Sequence, residues 1–389
     1  MYNNHKIEFF DIINDEINKA KSSHNANLSC RPILSIAIPT FNRKLRLERQ
    51  ITKLVQQIEL CGINAKIEII VSDNSSTDGT YDVIKQINFD YFSRIKITYF
   101  TNKYNLGSDA NFALAILRAS GSYVWLLSDD DELFDYALAH LYEKLTSLIE
   151  KSTNACLFVN YYITMLENSP TAVAEIGKET NLSLHEFMIE TDLRFGLISA
   201  CVFRRDSLSE VDFKSYIGTN YVHMFIILQC LVDNRGSIIR RPLFRFDHPG
   251  VLITRRNGKS RDRTSGDFYL NAHLGFLYFV SILLRKKIDW KSKFKLIRKA
   301  GDENVNQIIF YKLTHENYNF NYIVKVAFAM FKRLWYNPFF YFFHIPLLLA
   351  PNFLAKFIEP FRWKYLQFRG SCMATLRRLL GNSCITKKL

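Results

Sequence analysis

The chain of 389 residues is long enough for one large domain or two smaller ones, and its apolar share of 48% supports a hydrophobic core, which excludes a largely disordered protein. Its net charge of +14 indicates an anionic partner, such as nucleic acid, a phosphorylated substrate or an acidic membrane surface. The 7 cysteines are scattered and form no C-x-x-C pair, which argues against a disulfide framework or a thiolate metal site and fits a reducing cytosol.

The first twenty-one residues are polar and of mixed charge, and they lack the apolar core of a signal peptide. Apolar residues nevertheless repeat there at helical spacing, at Ile7, Phe10, Ile13 and Ile17. This spacing predicts a short amphipathic helix within an N-terminal extension over residues 1–30.

Apolar runs alternate with helical patterns in the next hundred residues. The runs predict strands over residues 33–39, 67–72, 95–100 and 123–127, with helices after the first three strands. This alternation predicts βαβ units and a mostly parallel, doubly wound α/β sheet. Because ligands bind beyond the carboxyl ends of such strands, we expect the polar loops that start near Thr40, Asp73, Asn102 and Asp129 to form one crevice.

The remaining pattern is less regular. It predicts a helix over about residues 134–149, a strand over 155–160, and core elements over 195–204 and 222–232. After Arg235 the pattern is mainly helical, and 17 Lys and Arg stand against 4 Asp and Glu between Arg235 and Lys299. The positive charge therefore lies in the second half of the chain.

Asp129, Asp130 and Asp131 directly follow the fourth apolar run. Adjacent carboxylates repel one another, so their position at a strand end favours a bound cation. Hard ions such as Mg²⁺ or Mn²⁺ take carboxylate oxygens and share their remaining positions with substrate phosphates. The alternative is an acidic turn that caps the following helix. No G-x-G-x-x-G follows the first strand and the chain contains no P-loop motif, so the triplet indicates a different kind of nucleotide site.

Motifs at the four strand ends resemble those of the family 2 glycosyltransferases of GT-A fold. In chain order they are Pro39-Thr40-Phe41-Asn42-Arg43, residues 71–80 around Asp73, Asn102 to Gly107, and Leu127-Ser128-Asp129-Asp130-Asp131. The resemblance covers about residues 33–133 and extends thinly to residue 205. Around the aspartates the sequence is most similar to bacterial surface-polysaccharide enzymes, including abequosyltransferase-like ones.

The resemblance implies a donor site for a nucleotide-diphosphate sugar. The nucleotide-binding residues that it implies are Pro39, Thr40, Asn42, Arg43, Asp73, Asn105, Gly107, Asp129 and Asp130. The carboxylate of Asp73 would accept hydrogen bonds from the N–H edge of uracil or guanine, with a loop-closing turn as the alternative. For Arg43 the alternative is a solvated residue in the first turn of a helix.

The family's metal motif, usually Asp-x-Asp, is shifted here, since Ser128 falls where many members have the first aspartate. The resemblance therefore implies Asp131 as the direct ligand of Mn²⁺ or Mg²⁺, with Asp129 as a second ligand if the register slips by one. Asp130 or Asp129 would bond to ribose or to a metal-bound water. The metal would neutralise the leaving diphosphate.

Inverting transfer also requires a base that deprotonates the acceptor hydroxyl. In the family this base is acidic and lies about a hundred residues after the metal motif, just before a helix. Residues 217–224 hold no carboxylate here, and His223 occupies the expected position. The alternative is that His223 is a core residue, which would leave Asp206, Asp212 and Asp233 as candidates. Asp247 and His248 are candidates for the metal shell.

The basic second half predicts two further contacts. Residues 252–259 have the composition of a mobile basic loop that closes over a diphosphate, or of a solvated surface loop. Residues 334–358 are rich in aromatic and apolar side chains but are interrupted by proline. This composition favours short helices on an anionic inner membrane surface over a membrane span, with a soluble helical domain as the alternative.

We therefore expect three regions: the extension over 1–30, a GT-A domain over 31–250, and a basic, aromatic-rich, mainly helical region over 251–389. The predicted protein is a metal-dependent inverting glycosyltransferase, cytoplasmic and peripheral on the inner membrane face. It would move a sugar from a nucleotide diphosphate to a polyprenyl-diphosphate-linked glycan in bacterial surface-polysaccharide biosynthesis, for lipopolysaccharide or capsule. One alternative is a nucleotidyltransferase of similar fold, which would carry a Gly-rich loop after the first strand. The other is a nucleic-acid-binding protein, and no motif supports it, so we expect no nucleic acid as a partner.

Overall fold

The structure is a computed structural model. It describes residues 11–16, 18–19, 31–91, 95–149, 154–164, 170–172, 178–191 and 193–246, together with single residues at 275, 279, 282, 324, 327, 328 and 349. Asp247, His248 and residues 252–259 and 334–358, for which the sequence made predictions, lie outside this set. All helices and strands named below belong to one compact unit.

The first half of the unit is a parallel βαβ sheet. The strands are β1 (Leu34–Thr40), β2 (Ile67–Asp73), β3 (Lys96–Thr101) and β4 (Tyr123–Leu126), and the helices between them are α1 (Lys44–Cys61), α2 (Thr80–Tyr91) and α3 (Ser108–Leu117). The four strands lie in the order β3-β2-β1-β4 and pair in parallel. Every residue of β1 and β2 is buried, as expected for apolar runs in the middle of a parallel sheet.

The second half adds antiparallel pairs to the same sheet. It contains β5 (Glu132–Leu133), α4 (Ala137–Ile149), β6 (Asn154–Thr164), β7 (Pro170–Ala172), α5 (Leu184–Glu190), β8 (Cys201–Arg204), α6 (Val222–Cys230) and β9 (Arg235–Phe246). The order continues from β4 through β8, β6 and β9 to β5, with β7 paired to β6. β8 runs antiparallel to β4, whereas β6 and β9 are parallel to each other. The described strands thus form a nine-stranded mixed sheet, and the predicted fold class, a mostly parallel α/β sheet of GT-A type, is confirmed.

Two elements differ from the sequence-based predictions. Residues 235–246 form a strand and no helix, so the mainly helical prediction is wrong for this segment. Its buried apolar pairs, Ile238-Ile239 and Leu243-Phe244, lie against β6, and Pro242 is compatible with a strand but would break a helix. The second difference is β5, which separates the aspartates from α4. Since α4 begins at Ala137, the triplet does not cap that helix.

Residues 11–16 and 18–19 are helical, and Ile13 is fully buried. Helix α1 ends at Cys61 and is followed by Gly62, whose φ of 64° is the left-handed conformation common after a helix C-terminus. Within the described part of the chain, no helix is long and apolar enough to cross a bilayer.

Candidate active site

The carboxyl ends of β1, β2 and β4 bring three of the predicted loops together. Thr40 and Asp73 are partners at the ends of β1 and β2. The hydroxyl of Thr40 donates to Oδ2 of Asp129 at 2.8 Å, which links the end of β1 to the loop after β4. The structure therefore forms the crevice that the order of the strand-end loops predicted.

Arg43 holds the aspartate triplet from the start of α1. Its Nη1 lies 2.6 Å from Oδ1 of Asp129 and 3.0 Å from Oδ2 of Asp130, and Arg46 Nη1 donates to the same Asp130 oxygen at 2.8 Å. The carboxyl of Asp129 is buried, so a paired cation is needed to offset the loss of hydration. Arg43 is an ion-pair partner of the triplet and no solvated first-turn residue.

Asp131 is buried without an equivalent cation contact of its own. Burial, together with repulsion from Asp130 and Asp129, raises its pKa to about 7, although a hydrogen bond from Ser199 and the charge of Arg43 oppose the change. A divalent ion would remove this cost, so the donor set fits a hard cation. The described residues contain no group of three or more His, Cys, Asp or Glu side chains arranged around a metal. Mg²⁺ and Mn²⁺ sites often use few protein ligands and take the others from phosphate and water.

Asn42 joins the first loop to the second. Its φ is 52°, a left-handed conformation that Asn tolerates better than most residues, and its side-chain oxygen accepts from Thr77 N at 2.8 Å. Its own N–H donates to the hydroxyl of Ser76 at 2.8 Å. Pro39 lies one residue before the end of β1 and pairs with Ser72. These contacts hold the two loops side by side.

Asp73 closes its own loop in this structure. Its carboxylate accepts from the hydroxyls of Ser76 and Tyr99, each at 2.5 Å, and its side chain is almost fully buried. Burial, and secondly the hydrogen bond from Tyr99 to Asp73, raise the pKa of Tyr99. These contacts match the loop-closing interpretation, and the contact with a nucleotide base stays a prediction.

Asn105 and Gly107 shape the third loop through a network of amides that sequence reasoning missed. Oδ1 of Asn105 accepts from Asn74 Nδ2 at 2.8 Å and from Gly107 N at 2.9 Å. Asn74 Oδ1 accepts in turn from Leu106 N and from Asn102 Nδ2. Gly107 has φ 85°, which only glycine adopts readily. The sequence signal that could have predicted this network is the repeated occurrence of Asn just after the ends of β2 and β3.

His223 is a core residue in this structure. It is 1% exposed, its Nε2 lies 2.9 Å from the carbonyl oxygen of Gly196, and burial lowers its pKa to about 4. Its ring contacts are Phe112 and Tyr221. None of these partners belongs to the aspartate triplet, and no described contact joins His223 directly to Asp129, Asp130 or Asp131.

The other candidate bases have local roles in the structure. Asp206 lies 3.4 Å from Nε of Arg204, and Asp212 accepts from the backbone N–H groups of Lys214 and Ser215. Asp233 is exposed on the surface. No described contact joins these three carboxylates to the triplet.

Asp109 is a buried carboxylate that the sequence did not single out. It accepts from the N–H groups of Gly218, Asn220 and Val222, at 2.9, 2.7 and 3.2 Å, and so caps the start of α6. The resemblance implied an acidic residue about a hundred residues after the metal motif, whereas Asp109 precedes that motif in sequence and meets the start of α6 only in the fold. Because the contact spans more than a hundred residues of sequence, local spacing did not reveal it.

A cavity of about 410 Å³ lies beside the triplet, a volume in the range of ligand pockets. One wall is a polar face of α1, and the other is the segment that runs from the triplet into β5. The lining residues are Arg46, Arg49, Gln50, Lys53, Asp129, Asp130, Asp131, Glu132 and Leu133. All of these residues except Leu133 are polar or charged, which is compatible with a phosphorylated or sugar ligand.

Comparison of the sequence with known proteins shows the family to which the chain belongs. Residues 35–212 match the model of Glycosyl transferase family 2. The chain is 32% identical to the abequosyltransferase RfbV of Salmonella typhimurium over 275 residues, which cover 68% of this chain and 79% of that protein. The chain therefore belongs to glycosyl transferase family 2, and the family assignment made from the motifs is confirmed.

Two further similarities cover less of the partner proteins. The chain is 39% identical over 133 residues to the GalNAc(5)-diNAcBac-PP-undecaprenol beta-1,3-glucosyltransferase of Campylobacter jejuni, covering 32% of this chain and 40% of that protein. The structure of S. aureus TarS matches with a TM-score of 0.50 at 15% identity, over 78% of this chain and 49% of that one. The structural match concerns the fold alone.

Proposed function

We propose that the protein is a metal-dependent inverting glycosyltransferase that moves a sugar from a nucleotide diphosphate to a polyprenyl-diphosphate-linked glycan. The observation that carries the proposal is the buried carboxyl of Asp131 at the end of β4, where burial and two adjacent carboxylates leave a charge that a divalent ion would offset. The names of the relatives support the pathway, since one is an abequosyltransferase and another acts on an undecaprenol-linked glycan. We propose bacterial surface-polysaccharide biosynthesis as the process.

In this proposal Asp131 holds Mg²⁺ or Mn²⁺, with Asp129 as a second ligand. The metal, when bound, neutralises charge on the leaving diphosphate. Arg43 and Thr40 keep Asp129 oriented, because each donates to a different oxygen of its carboxylate. The nucleotide lies over the ends of β1 and β2, beside Asn42 and the Asn105 loop.

Inversion follows if the acceptor hydroxyl attacks the anomeric carbon from the face opposite the diphosphate, while a base removes its proton. We do not assign this base to His223, because the residue is 1% exposed, its Nδ1 is buried and its Nε2 is bonded to Gly196. The acceptor approaches from an anionic membrane surface, which the net charge of +14 would attract. In this proposal the aromatic-rich residues 334–358 bind that membrane surface.

A donor panel tests the proposal. The purified full-length protein is mixed with Mn²⁺ and a set of nucleotide sugars, and each is scored for protection against thermal unfolding and for sugar release. One nucleotide class should raise the Tm and be hydrolysed slowly, and EDTA or Asp131→Asn should abolish hydrolysis. Hydrolysis that survives both EDTA and this substitution would contradict the metal role.

The two alternatives have their own readouts. A nucleotidyltransferase would release pyrophosphate from a nucleoside triphosphate and a sugar phosphate, and no such release is expected here. A nucleic-acid-binding protein would shift random oligonucleotides in a salt-sensitive manner, and no shift is expected. Either positive result would replace the glycosyltransferase proposal.

A further inference from the structure

We propose that Ser199 positions Asp131 and that His223 positions Ser199, which makes His223 a positioning residue and no catalytic base. The inference rests on the proposed function, because it takes Asp131 as the metal ligand. Ser199 does not belong to any of the motifs. His223 was expected from the resemblance to be the base, and here it receives a different role.

Ser199 contacts both ends of the segment that carries the aspartates. It is fully buried in a short turn, Ile198–Ala200, just before β8. Its Oγ accepts from the N–H of Ser128 at 2.8 Å, and the same side chain is near enough to the carboxyl of Asp131 to favour its charged form and lower its pKa. Since the hydroxyl accepts from Ser128, its single proton is available for Asp131. One side chain therefore fixes the backbone before the triplet and the carboxylate at its end.

The backbone of Ser199 is anchored as well. Its carbonyl oxygen accepts from the indole N–H of Trp125 at 2.8 Å, and Trp125 is fully buried in β4. Ser199 is thus attached to the strand that ends at the triplet. A displacement of the turn would carry Asp131 with it.

Side-chain donors fix the residues just before this turn. The hydroxyl of Tyr161 donates to the carbonyl of Arg194 at 3.0 Å, and the thiol of Cys201 donates to that of Phe195 at 3.4 Å. His223 donates to the carbonyl of Gly196, three residues before Ser199. Because a carbonyl oxygen only accepts, Nε2 of His223 must carry the proton. His223 therefore holds the segment on the side of α6.

The same tautomer explains why His223 is unsuited to proton abstraction. Nε2 is protonated and bonded, and Nδ1 is buried with no hydrogen-bond partner among the residues that the structure describes. An acceptor hydroxyl would have to enter the core to reach Nδ1. Asp109, through its contacts at the start of α6, keeps the helix and therefore His223 in place.

Substitutions at His223 separate the two roles. His223→Gln retains an N–H donor at a similar distance from the backbone, whereas His223→Phe keeps a ring against Phe112 and loses the donor. Positioning predicts that Phe and Ser199→Ala weaken Mn²⁺ binding about 10- to 100-fold, and that Gln keeps the affinity close to that of the parent protein. Mn²⁺ alone is the probe, and its binding to the full-length protein is followed by electron paramagnetic resonance.

Cys230→Ala is the matched control, because it removes a hydrogen bond to Ser207 from the same helix away from the triplet. It should lower the Tm without changing Mn²⁺ affinity. If His223→Phe fails to fold, the Mn²⁺ affinities of Ser199→Ala and His223→Gln still test the inference.

Two results would overturn the inference. The first is unchanged Mn²⁺ affinity in Ser199→Ala and His223→Phe while Asp131→Asn abolishes binding, which leaves the proposed function standing. The second is loss of turnover in His223→Gln with normal Mn²⁺ affinity, which is the result that a catalytic base predicts. If Asp131→Asn binds Mn²⁺ like the parent protein, the proposed function itself fails.

Discussion

Replacing Asp131 by Asn should stabilise the metal-free protein at high pH while abolishing transfer. Burial and the charges of Asp130 and Asp129 raise the pKa of Asp131 from 3.8 to about 7. Well below pH 4 this carboxyl is neutral in both the folded and the unfolded chain. Between pH 4 and 7 only the folded state retains the proton, so the free energy of unfolding falls as the pH rises. Above pH 7 the carboxyl is charged in both states and the full cost remains.

The size of the effect follows from the two pKa values. A difference of about 3 units at about 1.4 kcal/mol each gives a cost of about 4 kcal/mol. Asn has a similar volume and no charge, so Asp131→Asn avoids this cost. The gain in the free energy of unfolding should therefore grow from under about 1 kcal/mol near pH 4 to about 4 kcal/mol at pH 8.

Urea titrations of the full-length protein in EDTA, from pH 4 to pH 8, measure this gain. Asp135→Asn is the matched control, because that carboxyl is 96% exposed and its replacement removes no buried charge. Added Mn²⁺ should stabilise the parent protein at pH 8 and have little effect on Asp131→Asn. A gain that is flat with pH, or a loss of stability at pH 8, would refute the reasoning.

Three further outcomes are expected. Asp73→Ala should weaken donor binding by about 1–3 kcal/mol in calorimetry, and unchanged affinity would leave Asp73 with loop closure alone. Arg43→Ala leaves the buried carboxyl of Asp129 without its ion-pair partner, so it should lower the free energy of unfolding by about 3 kcal/mol at pH 8 and by less at pH 4. Urea titrations that give equal losses at both pH values would contradict this. The full-length protein should float with phosphatidylglycerol liposomes at low salt and be released by high salt, whereas failure to float would assign residues 334–358 to a soluble helical domain.

The strand-end crevice could be predicted from sequence because its signals are local. Apolar runs give the strands, and each polar cluster follows its run directly, so Thr40, Asp73 and Asp129 could be placed at one edge before any contact was known. Contacts between distant segments carry no such signal. Ser199 meets Ser128 across 71 residues, and Asp109 meets Val222 across 113.

The two errors in secondary structure have the same origin. β9 exists because it pairs with β6, and its arginines concealed the short apolar pairs that the sheet buries. β5 has two residues and depends on its partner β9, and a two-residue strand is too short to show a periodic pattern in the sequence. Pairing in the folded chain decided both segments.

The amide network of Asn74, Asn102 and Asn105 has a consequence for the electric field of the crevice. Amides do not ionise between acid and alkaline pH, so the shape of this loop should remain constant while the aspartates change charge. Because amides are neutral, they also order the loop without adding negative potential where a diphosphate would lie. Titration of Asp131, whose pKa burial raises to about 7, can therefore alter the affinity of the crevice for an anionic ligand while its geometry persists.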